Sequence, residues 1–387
     1  MTLEGTDIVC VGFADWDTDL RTNQHHLMAR LGQGNRVLFV ESMGLRQPQL
    51  SSRDLRRIAR RLVRGVQPPR AADGVHVLSP LVIPLHRYGA VRAINKRLLP
   101  WLVRRAARRL GMSAPILWAY VPQAEVLIDS LRPSKVVYHC VDDMANQKGI
   151  DGASFRAAEE RFTKEADLVF ATSAPLAERL ANWSGRVVTM TNVADTDLFA
   201  GALGDGPIDP ALERLPAPRI VFTGAIVTTK LDVDLLVGLA RARRDWSIAL
   251  VGPIGPGDPS TDVSPLRAEP NIHLLGKRPY EQLPDVLRGA DAALIPYARN
   301  ELTASIFPMK VYEYLAAGLP VVAAPLPSLE GVEGIDTASG PEATATKLDE
   351  LLAADGPEAR QARSRLAAKH SWDVRMEEIA IALEAHG

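Results

Sequence analysis

The stretch from Asn300 to Leu329, NELTASIFPMKVYEYLAAGLPVVAAPLPSL, leaves little choice of local structure. It follows ADAALIPY (290–297), an apolar run of strand length. Ser305, Phe307 and Pro308 are expected to open a helix, since proline in a first turn gives up no needed N–H. Val311, Tyr314 and Leu315 continue at helical spacing, and Gly318 followed by Pro320 stops the helix. LPVVAA then reads as a strand apolar on both faces, as in a parallel sheet. A loop and a helix start thus stand at the carboxyl end of a parallel strand, where open α/β sheets bind ligands. Lys310 and Glu313 lie three apart on one helical face. They offer a cation for phosphate and a carboxylate for sugar hydroxyls.

The rest of the chain repeats the strand–helix theme. TDIVCVGF, GNRVLFVES, GVHVLSPLVIP, APILWAYVP, KVVYHCVDD and ADLVFATS read as strands of a first half that RVVTMTNVAD closes, with helical patterns between them. Residues 196–218 turn rich in Gly and Pro and lose periodicity, so they read as a linker. RIVFTGAI, WSIALVGP, NIHLLGK and ADAALIPY then alternate with helices again. At 387 residues, two domains of ordinary size are expected. The first β-to-α loop lacks G-x-G-x-x-G, which disfavours a dehydrogenase.

FPMKVYEYLAAGLPVVAAPLPSLE strongly resembles the donor-site segment of GT-B glycosyltransferases, in the bacterial group related to the GT4 family. The resemblance implies an α/β fold of two doubly wound Rossmann-like domains facing a central cleft. It divides the chain into an acceptor-binding domain (1–195), a linker (196–218), a nucleotide-sugar-binding domain (219–370) and a final helix (371–387) crossing back to the first domain. It further implies transfer of a sugar from a nucleotide-diphosphate sugar, whether UDP, GDP or dTDP, to an acceptor hydroxyl. The acceptor would be a glycan, a lipid-linked sugar or a small aglycone. No cofactor and no metal are implied. A catalytically silent nucleotide-sugar-binding protein and a GT-B sugar-nucleotide epimerase stay open as alternatives.

Residue by residue, the resemblance puts Glu313 on the nucleotide ribose and the loop before it around pyrophosphate and sugar. Lys230, after FTGAIVTT, would contact the donor phosphate, as would Lys310, and Gly224 would let the backbone approach it. Gly252 would stand close to the nucleotide and Arg278, in KRPYEQLP, beside its base. Many relatives carry a glutamate eight residues before the ribose carboxylate, where this chain has Ser305. That departure bears on how the sugar hydroxyls are held. In the first half, His139, Asp142 and Asp143 form a close His/Asp cluster at a strand end, where an acidic group could deprotonate the acceptor hydroxyl. Asp15, Trp16 and Arg21 resemble the family's acceptor-side loop, with Trp16 available to stack a sugar ring. Asp232-Val233-Asp234 spells a metal-binding D-x-D, yet it opens a helix, where carboxylates suit the dipole. His25-His26 has no ligand partner at metal spacing.

Charge adds one expectation. Residues 46–109 hold 16 basic and 2 acidic residues in a chain of formal net charge -1. The basic residues interleave with Leu, Ile, Val and Trp at helical spacing over 53–64 and 87–109, which suits an anionic membrane surface. No nucleic-acid module accompanies the charge. Two cysteines, Cys10 and Cys140, in apolar runs suggest buried thiols in an intracellular protein. With no signal peptide at Met1–Thr6 and no apolar run of spanning length, the chain reads as cytoplasmic, with peripheral membrane contact left open.

Overall fold

Apolar runs of the first half become β1 (Asp7–Val11), β2 (Arg36–Val40), β3 (Arg70–Ala72), β4 (Val75–Leu78), β5 (Ile116–Ala119), β6 (Lys135–Cys140), β7 (Leu168–Ala171) and β8 (Val187–Thr189). They hydrogen-bond in the order β3-β4-β2-β1-β5-β6-β7-β8. Every pairing is parallel except the β3–β4 hairpin, whose tip is Asp73-Gly74 with both residues at positive φ. Such a two-residue turn matches the twist of the strands it joins. The structure is a computed structural model and describes residues 3–18, 20–42, 68–80, 89–147, 149–256, 258 and 260–385. The basic segment 53–64 lies outside the described residues.

Helices α1 (Asn23–Gly34), α2 (Gly89–Arg109), α3 (Gly152–Glu165) and α4 (Ala174–Ala181) connect these strands. The sheet has apolar side chains on both faces, and Leu38, Leu117 and Val169 are fully buried among them. Strand order reverses between β1 and β5, the hallmark of a doubly wound sheet.

The second sheet is built from β9 (Arg219–Thr223), β10 (Ser247–Val251), β11 (Ile272–Leu274), β12 (Ala292–Ile295), β13 (Val321–Ala323) and β14 (Asp336–Thr337). Its order is β11-β10-β9-β12-β13-β14, all parallel, with the reversal between β9 and β12. Around it lie α5 (Val233–Ala242), α6 (Lys310–Ala316), α7 (Pro341–Ala353) and α8 (Pro357–Ala368), and α9 (Trp372–Ala385) ends the chain.

Contacts divide the chain into unit 1, residues 1–191 and 376–387, and unit 2, residues 192–375. The end of α9 groups with unit 1, where the Lys135 ammonium donates to the Leu383 carbonyl at 2.5 Å. Residues 196–218, expected as a linker, are part of the unit 2 core instead. They form short helices at Thr196–Ala200 and Pro210–Glu213, and Phe199 and Leu212 are fully buried. Glycine and proline punctuate these turns without freeing them from packing. α6 begins at Lys310, two residues after the proline expected to open it.

Candidate functional site

The reversal between β9 and β12 leaves a crevice beyond their carboxyl ends, the place where such sheets take ligands. Two loops line it. The β9–α5 loop (224–232) carries Gly224 and Lys230, and the β12–α6 loop (296–309) carries Ser305 and leads into Lys310 and Glu313. They are tied together: Asn300 Nδ2 donates to the Thr229 carbonyl at 3.0 Å, and the Ala298 N–H to the Lys230 carbonyl at 2.8 Å. The second loop is pinned further by Asn192, which donates to the Phe307 carbonyl at 2.7 Å, and by Ser328, which donates to the Ile306 carbonyl at 2.6 Å. The end of β9 is fixed by Tyr314, whose hydroxyl accepts the Thr223 N–H at 2.7 Å.

The Lys310 side chain crosses this floor. Its ammonium lies 5.5 Å above the Phe222 ring, and its stem runs over Gly224. A Cβ at Gly224 would sit 2.5 Å from Lys310 Cε, and φ there is +137°. Only glycine suits that conformation and that proximity. Burial works against the ammonium, but the Tyr297 and Tyr314 phenols and the Glu313 carboxyl outweigh it and hold the Lys310 pKa above its ordinary value. Lys310 is therefore a fixed cation at neutral pH.

Glu313 is 7% exposed, and its carboxyl accepts no hydrogen bond from any described residue. Burial pushes its pKa up to about 7, with Lys310 pulling the other way. A buried carboxyl with unfilled acceptor positions is costly, and a hydroxyl-bearing ligand would relieve that cost. A first prediction concerns its titration. The folded pKa lies above the ordinary 4.5, so Glu313 contributes stability below pH 4.5 that is lost as pH rises through about 7. Glu313→Gln should melt with wild type near pH 5 and above it at pH 8, by on the order of 1–3 kcal/mol. Identical melting curves across that range would refute the buried, unpaired carboxyl.

The other expected residues divide. Lys230 is half-buried in the same loop, and its side chain makes no ion pair with a described residue. Ser305 is buried in the β12–α6 loop, 8% exposed. Gly252 is a packing residue: a Cβ there would fall 1.8 Å from the Gly224 carbonyl oxygen, so it lets the two loops close. Arg278 does not face the crevice chemistry. Its guanidinium holds Asp209 in a bidentate pair at 2.5 and 3.1 Å, and Asp209 also caps the helix at Pro210–Glu213. The expectation of a base or phosphate contact there is corrected, because the fork is spent on a carboxylate. Asp232 accepts the Leu235 N–H as N-cap of α5, which is the helix-start reading of D-x-D. Among the described residues no group of three or more His, Cys, Asp or Glu is placed to hold a metal.

In unit 1 the structure corrects several expectations. Trp16 is 4% exposed, set edge-on to Phe39 at 4.8 Å, and its indole N–H donates to Asp73 at 3.2 Å. It braces the β1–α1 loop and offers no face to a sugar. Arg21 pairs with the same Asp73 at 2.5 Å, at the tip of the β3–β4 hairpin. Asp15 remains half-buried, with its carbonyl accepting from His25 Nε2 at 3.0 Å. The Thr22 N–H donates to His25 Nδ1, so each ring nitrogen has a set role. His139 is 3% exposed, stacked on Tyr120 at 4.9 Å and flanked edge-on by Trp118 and Phe170. An imidazole walled in by three aromatic rings is a core residue and cannot take a proton from an acceptor. Asp143 is buried against Arg156, which also pairs with the fully buried Glu159. Arg179 and the Tyr138 hydroxyl complete that network. Asp142 is the one member of the cluster left half-exposed at the strand end. Asn192, Phe222, Tyr297 and Tyr314 were not expected in the site; only the aromatic run YEY around Glu313 signalled any of them.

Comparison with known proteins agrees with this geometry. Residues 217–354 match the family described as Glycosyl transferases group 1. A Bacillus subtilis (strain 168) protein, TuaH, named as a glycosyltransferase of teichuronic acid biosynthesis, is 28% identical over 226 residues. That match spans 55% of this chain and 56% of TuaH, little more than half the length of either. HepE from Anabaena, solved in complex with UDP-glucose, superposes with a TM-score of 0.68 over 98% of this chain and 99% of its own, at 14% identity. Sucrose-phosphate synthase from Thermosynechococcus elongatus gives 0.69 over 99% and 100%, at 15% identity. Identities that low speak for the fold alone: the chain has the two-unit α/β fold of these glycosyltransferase structures, and its residues 217–354 are similar to the Glycosyl transferases group 1 family.

Proposed function

We propose that the protein transfers a glycosyl group from a uridine-diphosphate sugar to an acceptor hydroxyl, in the assembly of a cell-surface polysaccharide. The single observation that carries the donor half is the pair at the β9/β12 crevice: a fixed ammonium at Lys310 beside a buried, unpaired carboxyl at Glu313. A nucleoside diphosphate presents the complementary groups, an anionic diphosphate and a ribose diol. Lys310 and Lys230 neutralise the diphosphate as it leaves, preorganised so that little rearrangement accompanies bond breaking. The Glu313 carboxylate accepts the ribose hydroxyls. Gly224 keeps the backbone low enough for the phosphates to pass. Asp142 is the remaining carboxylate for the acceptor hydroxyl proton. UDP and UDP-glucose in the HepE structures support uridine as the base, and the name of TuaH supports a polysaccharide product.

A thermal-shift series with UDP, GDP and dTDP tests this reading. UDP should raise the melting temperature most, with and without EDTA, because the charge is met by lysines. Hydroxyls donating to Glu313 favour its ionised form, so UDP binding should tighten as pH rises through about 7. Equal shifts with all three nucleotides, or none, would overturn the donor assignment.

A further inference from the structure

Among the described residues, the outer face of α2 gathers exposed arginines around an exposed indole. Its inner face, Leu99, Val103, Ala106 and Ala107, is buried in the unit 1 core. Trp101, Arg104, Arg105 and Arg108 fall at i, i+3, i+4 and i+7 on the opposite side, with Arg97 one turn earlier, and all are exposed. Trp101 is 55% exposed, and the Arg105 guanidinium lies 5.3 Å from the centre of its ring. Trp101, Arg104, Arg105, Arg108 and Arg109 line an open concavity of about 440 Å³.

What distinguishes this face is its lack of counter-charge. Several exposed arginines elsewhere have carboxylates, as Arg161 has Glu125, Arg186 has Asp167 and Arg241 has Glu269, and those without one stand singly instead of in a cluster. Arg97, Arg104, Arg105, Arg108 and Arg109 pair with no described carboxylate, and the sequence holds no acidic residue between Asp73 and Glu125. Fold stability gives no reason to collect unneutralised cations around an exposed indole, since like charges repel at this spacing. A surface that is anionic and takes an indole at its polar boundary gives both a reason.

We infer that the outer face of α2 docks the protein on an anionic lipid bilayer, with Trp101 set at the headgroup level and the arginines on lipid phosphates. Tryptophan prefers that boundary, and arginine meets phosphate with a two-pronged fork. The contact is interfacial, for no helix among the described residues is long and apolar enough to cross a membrane.

The 387-residue protein is mixed with vesicles of phosphatidylcholine alone or with phosphatidylglycerol added, and sedimented. It should follow only the phosphatidylglycerol vesicles, and less so as salt rises past the point where the screening length falls to about 10 Å. Replacing Arg104, Arg105, Arg108 and Arg109 together by Gln should weaken sedimentation on the order of 100-fold or more. The same four changed to Lys should retain it, and Trp101→Ser should lose about tenfold. All three variants should melt as wild type, because the altered side chains are exposed. Wild-type sedimentation by the Gln variant would overturn the assignment of this face. Binding to inorganic polyphosphate with none to the vesicles would overturn the lipid partner. Neither outcome touches the donor site, since the assay contains no nucleotide.

Discussion

Replacing Lys310 by methionine should lower turnover by about 10²–10³-fold while leaving the protein folded. Methionine keeps the length of the stem over Gly224 and removes only the ammonium. The fold should tolerate this, because the ammonium has no carboxylate within ion-pair distance and sits in a cradle of Phe222, Tyr297 and Tyr314. The leaving diphosphate would lose its nearest fixed cation, and no ordered water can supply an equally preorganised charge. Glu313 should respond as well. Lys310 is the group pulling its pKa down, so the variant should hold the Glu313 proton to higher pH. Donor turnover, a melting curve and a pH profile of UDP binding check all three. Unchanged turnover with the profile unmoved would take Lys310 out of the donor site.

Gly252→Ala should damage unit 2 more than any other single methyl group added at a glycine. The new Cβ would meet the Gly224 carbonyl oxygen at 1.8 Å and its carbon at 2.6 Å. Those are backbone atoms, and Gly224 is held by its own N–H on the Val251 carbonyl at 2.8 Å, so they cannot step aside cheaply. Overpacking of this kind costs about 3 kcal/mol or more. For a unit of this size that is a fall of roughly 6–12 °C in melting temperature. UDP binding should fall with it, because any retreat of Gly224 moves the floor under Lys310. Gly356→Ala is the control: nothing lies within 4 Å of its Cβ, and its backbone is extended. A melting temperature for Gly252→Ala equal to that control would mean the two loops are not in contact.

Which parts of this arrangement the sequence discloses follows from the range of the forces involved. The strand–helix alternation and the β12–α6–β13 element are local, set by propensity, turn residues and periodicity, and they are where the residues suggested. The placement of Lys310 and Glu313 on one helix is equally local, one helical turn apart. His139 could not be read. Both faces of a buried parallel strand are apolar, so alternation gives no sign that this ring points into aromatic company while Tyr138 points at Glu159. Trp16 failed for a similar reason: its partner Asp73 lies 57 positions away. Arg278 answers to Asp209, 69 positions earlier, inside the stretch read as a linker. The resemblance of KRPYEQLP to a nucleotide-side loop carried no sign of that distant carboxylate.

The chain's two cysteines are both in unit 1, Cys10 in β1 and Cys140 in β6, and both are essentially inaccessible. Burial drives each thiol pKa well up, so neither reacts from the folded sheet. Unit 2 has no sulfhydryl at all. A maleimide added to the native protein is therefore a clock on one half of the molecule. It can be consumed only when the first sheet opens, and it stays silent however far the second sheet frays. Nature has supplied the labelling scheme that would otherwise be engineered, and a nucleotide that binds unit 2 slows this clock only through coupling between the halves.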